Sequence, residues 1–189
     1  MSRWRFAIPF LLLPALPSQA ASDPETERAP ASLATLIQCE AAPEQFMALA
    51  TAVQDPLHAV SLGWRPLPQA NAFMAEYALN TPIDVLGHAT AHIAFAGSSI
   101  MAILDLPDPR PLARELALET GIDTPEKVLF GKEVLSQDVQ DPETGEWWIR
   151  SAILNVSNVT SHPGKTLVGC TYSIDPLEEE ETGAATPSG

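Results

Sequence analysis

Two of the chain's four histidines, His88 and His92, stand four residues apart in the stretch GHATAHIAFAGSS, residues 87–99. On a helix this spacing places both imidazoles on one face, as in the zinc-binding motif His-Glu-x-x-His. Residue 89 is Ala, so the glutamate that acts there as general base is missing. Gly87, Thr90, Ile93 and Phe95 favour a strand instead. In a strand the two Cα atoms stand about 13 Å apart, at roughly 3.3 Å per residue. Imidazole nitrogens sharing one zinc ion must each lie about 2 Å from it. The pair therefore reads as strand histidines that face solvent or accept hydrogen bonds, and neither a metal nor a cofactor is expected.

Two carboxylates lie inside apolar runs, Glu76 in FMAEYAL and Glu133 in GKEVL. If buried, each needs a proton or a cationic partner, for which Lys132, Arg150 and Lys165 are available. A pair of such acids is the machinery of glycosidases. Period-2 alternation puts each on the wet side of its strand, and that is the expectation. His88, His92 and Glu76 are nonetheless the candidates for a catalytic centre, should the chain be a hydrolase. Ser98, Ser99, Ser161 and His162 are the pieces of a nucleophilic triad that only the fold can assemble. There is no Gly-x-Ser-x-Gly elbow. Gly164-Lys165-Thr166 ends like a phosphate-binding loop, but residue 159 is Val where that loop needs Gly, and a strand-like run follows. HPGKT is a turn. Asn155 and Asn158 head formal glycosylation sequons within a strand-like run and are read as strand residues.

The aromatic residues offer binding chemistry. Trp147 and Trp148 are adjacent, so in a strand they face opposite sides, one into the core and one outward beside Arg150. Trp64, in the Pro-rich segment LGWRPLP, either joins a contact surface or pins its loop to the core. Trp148, Arg150 and Trp64 are the candidate binding residues.

The elements that must position these groups are legible from pattern. Ser32 caps a short helix carrying Leu33, Leu36 and Ile37, and Pro43 opens a second with Phe46, Leu49, Ala50 and Val53 at helical spacing. Residues 57–62 read as a short strand. Asp108 and Pro109 open a third helix that Gly121 ends. Strands follow in FMAEYAL, in HATAHIAF joined to SIMAILDL through Ala96-Gly97-Ser98, and in KVLFGKEVLSQDVQ and EWWIRSAILNVSNV around the turn residues 141–145. The last strand is TLVGCTYSI. The expected fold is α+β, with helices packed on an antiparallel sheet as two tandem α-β-β-β units.

The chain's ends and composition bound its setting. Arg3 and Arg5, an apolar run and Ser18-Gln19-Ala20 make residues 1–20 a signal peptide, with 21–31 a flexible linker, 32–176 one globular domain and 177–189 a disordered acidic tail. The apolar run is too short to span a bilayer, so no stable membrane span is expected once the signal is removed. Two cysteines, Cys39 and Cys170, are expected to form one disulfide in an oxidising compartment, periplasmic or secreted. Asp and Glu total 24 against ten Lys and Arg, a net charge of −14. That field repels nucleic-acid phosphates and favours a basic protein partner. The resulting expectation is an exported, non-enzymatic binding module. The alternatives are a hydrolase using an Asp/Glu/His site and a structural envelope protein.

Overall fold

The structure is a computed structural model and describes residues 31–177. The expected signal peptide, nearly all of the expected linker and the expected tail beyond Leu177 lie outside the described residues. Three helices come first. In α1, Leu33–Ile37, the Ser32 hydroxyl accepts a hydrogen bond from the Thr35 backbone N–H at 3.1 Å, a side-chain cap for an otherwise unpaired donor. Pro43 opens α2, Pro43–Ala52, and the Gln45 side chain accepts from the Ala42 N–H at 3.0 Å. The third, α3, spans Pro56–Ser61.

Eight strands follow: β1 Trp64–Pro66, β2 Ala75–Val85, β3 His88–Ala96, β4 Ser99–Leu104, β5 Glu119–Asp123, β6 Val128–Gln140, β7 Trp147–Ser157 and β8 Thr166–Pro176. A short helix α4, Arg110–Glu115, separates β4 from β5. All eight strands form one antiparallel sheet in the order β1-β2-β3-β4-β8-β7-β6-β5. Two meanders, β1 to β4 and β5 to β8, therefore meet where β4 pairs with β8, from Ser99 opposite Thr171 to Leu104 opposite Thr166.

Alternation gives this sheet two unlike faces. One carries Tyr77, Ile93, Phe95, Ile100, Ala152, Leu154, Val156, Val168 and Tyr172 and is covered by Leu36, Ile37 and Phe46 of the helices. Phe46 stacks on Tyr172 with ring centroids 5.0 Å apart. Cys39, just after α1, is bonded to the fully buried Cys170 of β8, with Cα atoms 5.2 Å apart. Beside it the Tyr172 hydroxyl donates to the Leu36 carbonyl at 2.7 Å. Burial pushes that phenol well above its ordinary pKa, so it stays a donor wherever the protein is folded. The opposite face has a smaller apolar cluster of Met74, Ala94, Ile103 and Leu167, packed by Met101 and Val159.

The fold is thus mostly sheet with few, short helices, and the expected disulfide forms. Four points differ from the sequence expectation. Each meander has four strands, because the short edge strands β1 and β5 add one to either half. Residues 57–62 are helical rather than extended: Pro56 fits the first turn, and Asp55 accepts from the Leu57 N–H at 2.9 Å. The helix opened near Asp108 ends at Glu115, with Ala117 in the left-handed conformation at φ 51°, while Gly121 lies within β5. Finally, Glu76 does not face solvent; it is 5% exposed. Glu133 does lie on an exposed stretch of its strand.

Candidate functional site

Glu76 is buried because the sheet face it occupies is not open. It sits early in β2 opposite Ala94, next to the Met74–Ala94–Ile103–Leu167 cluster. His92 projects from β3 two pairs further along on the same face, opposite Ala78. Its backbone is held by Thr90, whose hydroxyl accepts from the His92 N–H at 3.1 Å and donates to the Ile103 carbonyl at 2.8 Å. The turn between β7 and β8 then folds back over this face. Gly164 takes φ 72° there, a conformation that glycine adopts without steric cost. Val159 packs on the apolar cluster, and Lys165 ion-pairs with Asp105 at the end of β4. The turn delivers His162.

Three side chains from distant parts of the chain so converge. Glu76 Oε2 lies 2.9 Å from His92 Nε2 and 3.0 Å from His162 Nε2. The side chain of His162 is 8% exposed and that of His92 32%, so solvent reaches the group from the His92 side. On the far side of the His162 ring, Nδ1 lies 3.0 Å from the Ser161 hydroxyl, which accepts from Asn71 Nδ2 at 3.3 Å. A carboxylate only accepts, so both Nε2 atoms carry hydrogen when it is ionised. On a neutral His162 ring Ser161 then donates to Nδ1. Glu76 Oε1 is buried and has no hydrogen-bond partner among the described residues. The Asp105 carboxyl is held below its ordinary value by a hydrogen bond from Lys165 and by that residue's charge, with a smaller contribution from the His92 ring.

The cluster can move a proton along Ser161, His162 and Glu76, the linear order of a hydrolytic triad. The ring nitrogens are exchanged relative to serine proteases, and the serine is bonded to the residue that follows it in the chain. With Ser161 also bonded to Asn71, these contacts fix the ring of His162.

The candidates from the sequence fall into separate places. Glu76 and His92 meet, through each other and through His162, while His88 lines a different groove with Leu106, Pro107 and Leu112. The cations available to Glu76 were Lys132, Arg150 and Lys165, yet its partners are the two histidines. Lys165 pairs with Asp105, and Arg150 donates to Glu44 of α2, which ties that helix to β7. Trp64 is part of β1, its ring 5.8 Å from that of Tyr77 and 6.2 Å from that of Phe95, so it packs against the core.

At the far end of the sheet Trp147 and Trp148 behave differently. They begin β7, opposite Gln140 and Val139 of β6. The turn before them is stiff: Asp141 accepts from the N–H groups of Glu143 and Thr144 at 2.7 and 3.0 Å, and Gly145 takes φ 75°. Those N–H groups, Thr144 first, hold the Asp141 carboxyl below its ordinary value. Both tryptophans line a groove of about 510 Å³ with Glu146, Pro176 and Leu177, and Trp147 is 49% exposed.

Compared with protein families, curated proteins and solved structures, the chain matches none.

Proposed function

We propose that the protein is an exported, non-enzymatic binding module that holds a basic partner at the tryptophan end of the β6–β7 hairpin. One observation carries this reading: the groove lined by Trp147, Trp148 and Glu146 on a chain of net charge −14. Indole faces attract Lys and Arg side chains by about 0.5–1 kcal/mol where exposed and about 2 where desolvated. Asp141, whose own backbone bonds favour its ionised form, and Glu146 add negative charge in the same turn. Beyond Leu177 the sequence continues into four glutamates, 178–181. Three of the chain's own cations are already paired with its own carboxylates: Arg110 with Asp108 and Asp123, Arg150 with Glu44, and Lys165 with Asp105. Surplus carboxylates steer a basic partner and set its approach rate. The disulfide is compatible with an exported chain.

The chemistry is tested by titrating residues 21–189 with a short Lys/Arg-rich peptide and following tryptophan fluorescence. A saturable change is expected at low salt that weakens as salt rises, since exposed charges are screened over about 10 Å at 0.1 M. Trp147→Ala, at a half-exposed position, is expected to weaken binding about two- to fivefold while leaving the fold intact, the loss of one exposed cation–π contact. No saturable response, or an affinity indifferent to both salt and Trp147→Ala, contradicts the proposal.

A further inference from the structure

We propose that Glu76, His92 and His162 form a binding site for a divalent first-row transition cation, with zinc the ion that suits it best. The site is separate from the tryptophan groove and goes beyond the binding function proposed there. Two imidazole nitrogens and a carboxylate oxygen are a donor set that zinc accepts, whereas calcium and magnesium take oxygen ligands. The three donor atoms lie within 4.8 Å of one another. Two ligands each about 2.1 Å from a tetrahedral ion stand about 3.4 Å apart. The 2.9 and 3.0 Å separations from Oε2 to the two Nε2 atoms need to open by only a few tenths of an ångström to admit it.

The unpartnered oxygen is the second, independent sign. Glu76 Oε1 is buried without a hydrogen bond, while its companion Oε2 accepts from two imidazoles. Leaving a buried acceptor unmade costs about 1–3 kcal/mol, more when it is charged. Neutral imidazoles do not balance a buried negative charge, and a divalent cation beside the carboxylate does.

The surroundings are those of a ligand shell. With an ion on Nε2, His162 carries its proton on Nδ1 and donates it to the Ser161 hydroxyl 3.0 Å away, which Asn71 steadies from the other side. Such an outer partner fixes the tautomer and the ring orientation of a ligating histidine. His92 and Glu76 stand on adjacent strands in fixed register, and the His162 turn is anchored at Val159 and Lys165. Three protein ligands leave the fourth position of a tetrahedral ion on the partly exposed His92 side, open to water or to an outside donor.

The test is direct titration of chelator-treated residues 21–189, disulfide intact, with zinc chloride against a competing colorimetric chelator. One equivalent is expected to bind at micromolar affinity or better, and cobalt in its place to give the intense visible absorption of a four-coordinate site. His92→Gln, at a partly exposed position, is expected to weaken zinc by more than the 10–100-fold typical of losing an outer partner, and Ser161→Ala by about tenfold. His88→Ala, away from the cluster, is expected to bind as the parent does. Failure of the parent protein to bind one equivalent overturns the proposal whatever the variants do. So does an affinity that falls with His88→Ala and survives His92→Gln. Neither result touches the tryptophan groove, which is read out by peptide binding.

Discussion

Replacing both Cys39 and Cys170 by alanine is expected to lower the free energy of unfolding by about 5 kcal/mol. The bond joins residues 131 apart in sequence, so in the unfolded chain it closes a loop covering almost the whole described domain. The entropy removed from that ensemble grows with the logarithm of loop length, and a loop this long lies near the top of the usual range. The folded state adds to the loss. Cys39 occupies a left-handed position, φ 59°, just after α1, and the cystine holds α1 against β8 beside Tyr172. A domain of ordinary stability has about 5–15 kcal/mol in total. The double variant should therefore unfold at a much lower urea concentration than the oxidised parent, and reduction of the parent should reproduce the shift. A urea midpoint that barely moves would mean that α1 is held by packing alone.

Gly169→Ala is the second large effect. Gly169 pairs with Met101 where the two meanders join, and a Cβ there meets the Ile100 carbonyl oxygen at 2.2 Å and Met101 Cα at 2.6 Å. Both are backbone atoms of the neighbouring strand, so no side chain can rotate aside. β4 and β8 must separate or slide, and among the described residues their ladder is the only strand pairing between the two halves. Overpacking of this kind costs about 3 kcal/mol or more. Gly131→Ala is the matched control, since the nearest atom to its Cβ is the Asn155 side-chain oxygen at 3.0 Å, a looser contact and not with backbone. The control should lose much less on thermal or urea unfolding. Equal losses at the two glycines would contradict the close-approach argument.

The disulfide was legible from the two cysteines, whereas the β4–β8 approach at Gly169 belongs to the sheet's long-range order, the less legible part of the chain. Local signals read well. The alternation in KVLFGKEVLSQDVQ and EWWIRSAILNVSNV, broken by Asp141 and Gly145, gives the β6–β7 hairpin, and the Ser32 and Pro43 signals give α1 and α2. Adjacency put Trp147 and Trp148 on opposite sides of a strand with one of them in the core, whereas at the start of β7 neither joins the apolar core and both line the same groove. Three-residue β1 is too short for a periodic pattern, and the apolar run 57–62 lacks the period that separates helix from strand. Alternation put Glu76 on the wet side of its strand, and in the structure that side is buried. It could not show that the β7–β8 turn would cover that face. That turn reaches Glu76 only because β8 lies beside β4, a pairing no local pattern encodes. His162 is 86 residues from Glu76, and in the sequence its signal was that of a proline-glycine turn.

The proposed function is tested most directly by cross-linking residues 21–189 within their own exported fraction, at low and moderate salt, with Trp147→Ala in parallel. The account predicts one basic protein, captured by the parent at low salt, lost as salt rises and depleted in the Trp147→Ala sample. Capture of nothing above background, or of the same proteins by parent and variant at every salt concentration, would contradict it.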